Sequence, residues 1–297
     1  MDRGGVVPGC VGPPGGSADG NEVRAAGGHA TIRVVDTSPE TLLRVYDDQL
    51  RTSAESAGGL AVTRLGPLQL VTFAGGFGFV GYRDLGGADA ATIRRWVGEA
   101  LEHFRADPEV QEVEWKTRGH DVAPGLHQAL LDHGFVEGEV ESVMMGPAEG
   151  LAEDVPLPEG VTLRRITEEA DVRAMSAMAD RVFGDPVSDR RADDLLDRLH
   201  RDPDVEIWVA EAGAEIVSTG RLEPVAGTEV AGIWGGATVP PWRGRGIYRA
   251  LTAERARSAL RLGKKYLQSD STEYSRPILE RSGLVKVTTT TPYTWQR

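Results

Sequence analysis

The sequence predicts an α/β protein in which a mixed, mostly antiparallel, twisted sheet is flanked by helices, and in which this arrangement occurs twice in tandem. Three observations support the prediction. Short apolar strand patterns alternate with amphipathic helix patterns through both halves of the chain. Three strand patterns follow one another directly between residues 206 and 238, as antiparallel neighbours do. A segment rich in proline and acidic residues, 147–160, separates the halves and is predicted to be a linker.

Length and cysteine content indicate the class of protein. With 297 residues the chain exceeds the usual size of one domain, so two domains are expected. The single cysteine, Cys10, cannot form an internal disulfide. No run of about 18 apolar residues predicts a membrane span, and the N-terminus lacks the apolar core of a signal peptide. These features predict a cytoplasmic protein that does not bind a membrane.

The charge of the chain is unevenly distributed. The net charge is −12 at pH 7; residues 1–159 carry 12 Lys or Arg against 25 Asp or Glu, whereas residues 160–297 carry 21 against 20. We expect no nucleic-acid binding, because an acidic chain repels phosphates. The basic residues between Arg243 and Lys265 form either a solvated helix face or an electropositive surface for a phosphorylated ligand.

Residues 30–146 are predicted to form the first domain, after a Gly- and Pro-rich leader, 1–29, that we expect to be disordered. Asp89 is predicted to cap the clearest helix, whose apolar residues recur every three or four positions up to Phe104. The other patterns predict strands at 31–35, 68–82, 110–116 and 136–145 and helices at 40–50 and 123–133. The histidines lack the paired spacing of metal ligands, so no metal is expected.

Residues 161–297 are predicted to form the second domain, and the order of its elements is specific. One strand is followed by two helices, three strands, a Gly-rich loop that opens a helix, and then a strand, a helix and two last strands. The predicted strands are 161–164, 206–211, 215–223, 229–238, 265–269, 284–289 and 292–296. The predicted helices are 168–183, 190–200, 275–281 and a helix that starts near Ile247 and stops at Gly263.

The Gly-rich loop, Arg243-Gly244-Arg245-Gly246, lies between a strand and a helix. Free backbone N–H groups and the helix dipole make such a helix start a binding place for phosphate. Glycine at 244 and 246 lets a phosphate approach the backbone, because no Cβ stands in the way. No Gly-Lys-Ser/Thr follows, which argues against a nucleoside triphosphate. The loop is therefore predicted to bind the phosphate or pyrophosphate of another kind of ligand.

The order of elements together with this loop resembles the GCN5-related N-acetyltransferase (GNAT) family, and the resemblance extends over Val161–Trp295. The family's loop pattern is Arg/Gln-x-x-Gly-x-Gly/Ala; Arg243 and Gly246 match it, and Tyr248 departs from it. The resemblance implies acetyl-CoA as cosubstrate, with its pyrophosphate on the loop and its pantetheine arm along the preceding strand, where that strand separates from its neighbour. The implied contacts are Ala237, Thr238, Val239, Arg243, Gly244, Arg245, Gly246, Ile247, Tyr248 and Arg249. Tyr248 either packs on the ligand or faces the sheet.

The resemblance also implies transfer of an acetyl group to an amine, with a tyrosine of the last helix protonating the leaving thiolate. Leu279 stands at that position, so the usual acid is absent. Ser275, one turn earlier on the same helix face, is the preferred replacement, with Tyr274 second; equally, Ser275 caps its helix and does nothing else. The oxyanion is expected to accept a hydrogen bond from the N–H of Val239 or a neighbour.

The base is expected among the carboxylates of the strands beside the separation. Glu223, Glu229 and Asp270 meet this condition, and each is alternatively a solvated charge at a strand end. Many enzymes of this kind work mainly by positioning, so a missing acid does not exclude activity. The candidate catalytic residues are Ser275, Glu223, Asp270 and Tyr274.

The acceptor is expected to bind near Phe183–Asp189, between the first two helices of the second half, beside Trp208, Arg221 and Trp234. This mixture of aromatic and charged groups suits the amine of a small molecule, an amino acid or a peptide end. The chain is expected to act as a monomer or a homodimer.

The first half repeats the theme faintly, because Leu130–Val136 parallels Leu279–Val285 at a helix end before a strand. Its loop, Asp84–Asp89, lacks basic side chains and carries acids that repel phosphate. We therefore predict a degenerate GNAT-like copy without a cofactor, and one acetyl-CoA per chain.

Two other functions stay open at this point. Leu279 and Tyr248 both depart from the family and would suit a non-catalytic acyl-CoA-binding regulator. A scaffold that binds no CoA is the third possibility.

Overall fold

A computed structural model describes residues 37–51, 53–273 and 275–297. The predicted leader, the predicted strand at 31–35 and Tyr274 lie outside the described residues. The first half contains α1 (Pro39–Gln49), β1 (Ala61–Leu65), β2 (Leu68–Phe73), β3 (Phe77–Gly81), α2 (Ala90–Ala106), β4 (Glu112–Arg118), α3 (Leu126–Asp132), β5 (Val136–Glu137), β6 (Glu141–Pro147) and α4 (Ala148–Leu151). The second half contains β7 (Val161–Ile166), α5 (Glu169–Phe183), α6 (Arg190–Arg201), β8 (Glu206–Ala212), β9 (Glu215–Pro224), β10 (Val230–Thr238), α7 (Ile247–Arg261), β11 (Tyr266–Ser271), α8 (Arg276–Arg281) and β12 (Val285–Gln296).

All strands of the described ranges belong to one twelve-stranded sheet with the order β1-β2-β3-β4-β12-β6-β11-β10-β9-β8-β7, and β5 pairs with β12 beside this path. Two neighbouring pairs, β3–β4 and β10–β11, are parallel, and the others are antiparallel. Each parallel pair is connected through a helix, α2 or α7, as parallel pairing requires. The predicted mixed, mostly antiparallel sheet flanked by helices is confirmed.

The two halves share their last strands. β12, from the end of the chain, lies between β4 and β6, and β6, from the first half, lies between β12 and β11. Each half therefore supplies a strand that continues the sheet of the other. The predicted domain boundary at 147–160 stays a prediction; this segment includes the short helix α4, which packs against α7.

Helices cover both faces of the second half. α5 and α6 pack on Ile207 and Val209 of one face, and α7 packs on Ala210 and Val217 of the other. α1 belongs to the first half in sequence, but its Leu42 shares a core cluster with residues of β6, β10 and β11. No helix within the described ranges is long and apolar enough to cross a membrane.

Local sequence signals explain where most elements begin and end. The Asp89 carboxylate accepts a hydrogen bond from the Thr92 N–H at 2.8 Å, which confirms the predicted cap of α2. Gly184 ends α5 in the left-handed region, with φ of 83°. Three other predictions of strands differ from the structure, because tertiary contacts determine these strands. β1 is an exposed edge strand that has no apolar alternation, and the prediction missed it. β5 and β6 replace one predicted strand. The two predicted final strands are a single strand, because β12 pairs with β6 up to Thr290 and with β4 from Thr290 onward, through Pro292.

Candidate active site

β10 and β11 separate where the sequence predicts the cofactor cleft. They pair only from Val230 to Gly232 on β10 and from Tyr266 to Gln268 on β11. β10 continues to Thr238 along β9, whereas β11 continues to Ser271 along β6. The facing edges of the two strands therefore carry main-chain N–H and C=O groups that are not used in a ladder between them. The predicted separation of the strands is confirmed.

A β-bulge lies on β10 at the mouth of this cleft. Trp234 pairs with Arg221 and Ala237 with Thr219, so β10 has one residue more than β9 across this step. Gly235 has φ of 61°, a conformation that favours glycine. The Arg221 guanidinium lies close above it, since a Cβ at Gly235 would be 3.0 Å from Arg221 Nη1. The bulge thus bends β10 just beyond its last pair with β11, at Gly232.

The predicted phosphate loop has a bare backbone. Gly244 and Gly246 have φ of 73° and 83°, and a Cβ at Gly244 would have no atom within 4 Å. Gly246 is the N-cap of α7 and offers no side-chain acceptor to the first amides of the helix. Arg243 Nε donates to the Thr238 carbonyl at 2.9 Å, and the Arg245 guanidinium stacks on the Trp242 ring at 4.9 Å. The exposed arginines are therefore held beside the helix start.

The structure settles the position of Tyr248, which faces the sheet. A Cβ at Gly236 would lie 2.6 Å from Tyr248 Cε2, so the ring rests on the bare backbone of β10. The Arg255 guanidinium lies on the Tyr248 ring at 5.8 Å and is 1% exposed. Burial lowers the pKa of Arg255, whose guanidinium also donates to the Leu251 and Arg221 carbonyls. Ile247 is likewise buried, so only its backbone can contact a ligand.

The strand residues before the loop are held by β9. The Val239 N–H donates to the Val217 carbonyl at 3.0 Å, and Ser218 Oγ donates to the Ala237 carbonyl at 2.8 Å. Thr238 Oγ1 lies 2.7 Å from Ser218 Oγ. The Val239 amide is therefore already used toward β9, and of the expectation that Val239 or a neighbour donates to the oxyanion only the neighbouring amides stay candidates.

The three candidate bases are all ion-paired. Glu223 accepts from Arg198 at 2.6 Å and from Arg221 at 2.9 Å. Asp270 accepts from Lys116 Nζ and from Gln268 Nε2, each at 2.7 Å. Glu229 lies at the opposite, paired end of β10, where the Lys265 ammonium lowers its pKa. Each carboxylate is thus occupied by cationic partners, and Glu223 and Asp270 contribute to the charge of the site.

The candidate acids on the last helix have different surroundings. Ser275 is the N-cap residue of α8 but makes no capping hydrogen bond with its side chain, and its Oγ lies 3.3 Å from Thr272 Oγ1, just before the helix. Leu279 is 1% exposed and packs in a core cluster with Leu267, so this position provides an apolar contact. Tyr274 lies outside the described residues.

A charged cluster from the first half reaches Asp270, and the sequence prediction missed it. Lys116 and Glu114 lie on β4 and Glu141 lies on β6, and all three act electrostatically on one another and on Asp270. Burial raises the pKa of Glu114 and of Glu141, and the Asp270 charge adds to both shifts. Burial alone would lower the pKa of Lys116, but Asp270 beside it more than offsets this effect and raises it. The alternation of β4 shows that Glu114 and Lys116 share a face, but it gives no sign of the contact with a strand 154 positions later.

Part of the predicted acceptor region, namely Asp185, Pro186, Ser188 and Arg221, lines an open cavity of about 590 Å³ beside α5 and α6, whereas Phe183 and Trp234 are not among its lining residues. Its lining includes Asp180, Asp185, Asp194, Arg191, Arg198 and Arg221. Asp180 is buried, and the Arg191 guanidinium at 2.6 Å lowers its pKa. Trp208 does not belong to this region, because its indole N–H donates to Glu206 at 2.7 Å on the face that α7 covers.

In the first half, side chains that pair with one another line a cavity of about 250 Å³ beyond the end of β3. The Arg51 guanidinium is 2% exposed, donates to the Tyr82 carbonyl just after β3 at 3.1 Å and pairs with Asp121 at 2.7 Å. The Tyr82 hydroxyl donates to the same carboxylate at 2.7 Å. That the first half binds no cofactor stays a prediction. Among the described residues, no group of three or more His, Cys, Asp or Glu side chains is placed to hold a metal.

Comparison with known proteins agrees with this geometry. The family model of the acetyltransferase (GNAT) family matches residues 172–283. A GCN5-related N-acetyltransferase from Kribbella flavida is similar in structure, with a TM-score of 0.63 and 17% identity over 85% of this chain and 95% of that chain. One from Sphaerobacter thermophilus has a TM-score of 0.55 and 20% identity over 77% of this chain and 76% of that chain. A tandem GNAT protein from the clavulanic acid biosynthesis pathway has a TM-score of 0.54 and 14% identity over 86% of this chain and 95% of that chain.

No curated protein matches the chain. At these identities the solved structures show a common fold, and they extend it over both halves of the chain. The family model adds a match in sequence that runs from α5 to the turn after α8 and includes the cleft and the loop. The second half of this chain therefore carries a domain of the acetyltransferase (GNAT) family.

Proposed function

We propose that this protein is an acetyl-CoA-dependent N-acetyltransferase that moves an acetyl group to the amine of a small molecule, an amino acid or a peptide. The observation that carries the proposal is the separation of β10 from β11, which leads directly into a bare-backbone loop at the start of α7. An extended arm fits between the strands, and a pyrophosphate fits at the helix start.

The residues present suit acetyl-CoA. Gly244 and Gly246 have positive φ and no side chain, so no Cβ of their own covers the main-chain amides at the helix start. Arg243, Arg245 and Arg249 are exposed around the same helix start and would balance the charge of the pyrophosphate. The main chain between the bulge and Val239 would hold the pantetheine arm. When bound, acetyl-CoA supplies an activated thioester.

The chain's own groups favour catalysis by positioning. Glu223 and Asp270 are each held in an ion pair with a cation, so neither carboxylate is free to approach the acceptor amine. We propose that they hold the acceptor amine electrostatically and that its proton leaves to water. Ser275 and Tyr274 stay candidates for contact with the leaving sulfur.

The cavity beside α5 and α6 indicates the chemical type of the acceptor. Its carboxylates and guanidinium groups alternate in sign over a small area, and Arg221 connects it to the bulge. A molecule that carries both an ammonium and a carboxylate finds partners for both groups there. This favours an amino acid or a peptide end over a simple monoamine.

Calorimetric titration with acetyl-CoA tests the cofactor, and CoA release over a panel of amines and amino acids tests the reaction. Arg243→Glu should weaken acetyl-CoA binding about tenfold or more, because it replaces an attraction at the loop by a repulsion. Arg261→Glu, at the far end of the same helix, makes the same charge change and should leave the affinity unchanged.

The two experiments separate the alternatives. Absence of acetyl-CoA binding would refute the proposed function and favour a scaffold. Tight binding without acceptor-dependent CoA release over a broad panel would favour the acyl-CoA-binding regulator. In that case the buried, apolar Leu279 at the position of the family's acid would explain the missing reaction.

A further inference from the structure

The hydroxyl of Ser271 is buried without a hydrogen-bond partner. Ser271 is the last residue of β11 and is 2% exposed, and its Oγ contacts no donor or acceptor within the described part of the chain. Leaving a buried polar group unsatisfied is unfavourable, and native proteins rarely do so without a reason. A ligand group that accepts the hydrogen bond would be such a reason.

The strand register places Ser271 across the cleft from the bulge. The last pair between β10 and β11 is Gly232 with Gln268, and parallel strands advance one residue for one. Counted three residues beyond this pair along each strand, β11 reaches Ser271 and β10 reaches Gly235, the residue of the bulge with positive φ. The unsatisfied hydroxyl and the bulge thus occupy corresponding positions on the two strands that border the cleft.

The side chain of Ser271 points to the face that α7 and α8 cover. Leu267 shares a core cluster with Leu279 of α8, and alternation along β11 puts Ser269 and Ser271 on the same side as Leu267. Leu279 has no donor to offer on this face. Ser269 Oγ donates to the Asp270 carbonyl at 3.3 Å, and Ser275 Oγ has Thr272 as a partner at 3.3 Å. Of the hydroxyl groups of Ser269, Ser271 and Ser275, that of Ser271 lacks a hydrogen-bond partner among the described residues.

We propose that Ser271 is a catalytic residue that donates a hydrogen bond to the sulfur of acetyl-CoA as the acetyl group leaves. This inference rests on the proposed function. In the reaction the acceptor nitrogen bonds to the carbonyl carbon, the carbon–sulfur bond breaks, and its electron pair stays on sulfur. The proton that the nitrogen loses goes to water. Ser271 keeps its proton and stabilises the negative sulfur, which is a stronger acceptor than the neutral thioester.

The ionisation of bound CoA tests the proposal without knowledge of the acceptor. The thiolate absorbs in the ultraviolet, so a pH titration of the complex with free CoA gives the pKa of the bound thiol. A hydrogen bond to a charged sulfur should lower this pKa, and Ser271→Ala should raise it by about one unit or more. Ser269→Ala is the matched control on the same strand and face, and it should leave the pKa unchanged.

A second measurement separates catalysis from a structural role. Because the hydroxyl has no internal partner, Ser271→Ala should leave the melting temperature of the free protein unchanged or raise it by about 2–4 °C. A drop of several degrees would mean that the hydroxyl supports the fold, and it would overturn the proposal.

The remaining outcomes are also distinct. An unchanged thiol pKa in Ser271→Ala, with intact CoA binding, overturns the assignment while the proposed function stands, and a rise in Ser275→Ala instead would transfer the role to Ser275. Failure of the wild-type protein to bind either CoA or acetyl-CoA would count against the proposed function itself.

Discussion

At the scale of single residues, the position where the loop departs from its family, Tyr248, has a packing role. Its ring covers Gly236 and supports the buried guanidinium of Arg255, which has carbonyl oxygens and a hydroxyl as its hydrogen-bond acceptors. A smaller residue at 248 would leave Arg255 without its aromatic neighbour. Tyr248, where the loop departs from the family pattern, therefore affects how α7 packs on the sheet. It leaves the backbone amides of the loop available to a ligand.

The candidate acid–base residues changed most between sequence and structure. Glu223 and Asp270 have the predicted locations, but their cationic partners, Arg198 and Lys116, lie elsewhere in the chain. No local pattern identifies a partner 154 positions away, as for Lys116 and Asp270. The Gly-rich loop was predictable because its chemistry is contained in a few consecutive residues. The charged network around Asp270 could not be predicted, because its members come together only in the tertiary fold.

One prediction concerns Glu114, whose pKa burial raises above the ordinary value of 4.5. A carboxyl with a raised pKa binds its proton more tightly in the folded chain. Its contribution to stability is therefore present below about pH 4.5 and is lost as the pH rises through the folded pKa. Glu114→Gln removes this group, so we expect the melting temperature to fall less steeply with rising pH above 4.5.

Thermal unfolding across a pH series measures this slope. Glu112→Gln is the control, because Glu112 is a glutamate two residues earlier on the same face of β4. Equal slopes for wild type and Glu114→Gln would show that the buried environment of Glu114 does not persist in solution.

At the scale of elements, the strength of the local signal decided what could be predicted. α2 and α5 have a capping residue or a terminal glycine and continuous amphipathic spacing, and their predicted bounds agree with the structure to within a residue or two. The pattern of β12 predicts a strand but does not say which neighbours it has. The sharing of β6 and β12 between the halves therefore became visible only in the structure.

These shared strands make a prediction about cooperativity. Tyr293 lies on β12, is buried in the core of the first half, and its strand also pairs with β6. Tyr293→Ala should lower the free energy of unfolding by about 3–5 kcal/mol, the usual cost of truncating a buried aromatic residue. Because β6 pairs with β11, this loss should appear throughout the sheet, in one unfolding transition.

Hydrogen exchange followed by mass spectrometry provides the measurement, with peptides from β3 and β4 compared with peptides from β9 and β10. Thr294→Ala is the control in the same strand, because its half-buried side chain leaves the main-chain pairing intact. Two transitions, with β9 and β10 as protected as in the wild type, would mean that the halves unfold independently.

At the scale of the whole molecule, the charge distribution distinguishes the two halves. Residues 1–159 have a net charge of −13 and residues 160–297 of +1, and the arginines of the loop lie in the second group. A polyanionic ligand is repelled by the first half and attracted to the start of α7. In the first half, the buried cation of the cavity beyond β3, Arg51, is already paired with Asp47 and Asp121.

We therefore expect one acetyl-CoA per chain, bound by the second half. Calorimetry should give a stoichiometry of one, and the affinity should fall as salt is added, because screening weakens the attraction of the loop for the ligand. Arg243→Glu should weaken the binding of this one acetyl-CoA, and calorimetry should show no second binding site in the variant. Arg51→Leu tests the first half directly: it removes the buried cation of this cavity but leaves Asp47, Asp84 and Asp121 in place, so the stoichiometry should stay at one. A stoichiometry of two in either protein would show that the acidic surroundings of the first half do not exclude the ligand, and the predicted asymmetry between the halves would be wrong.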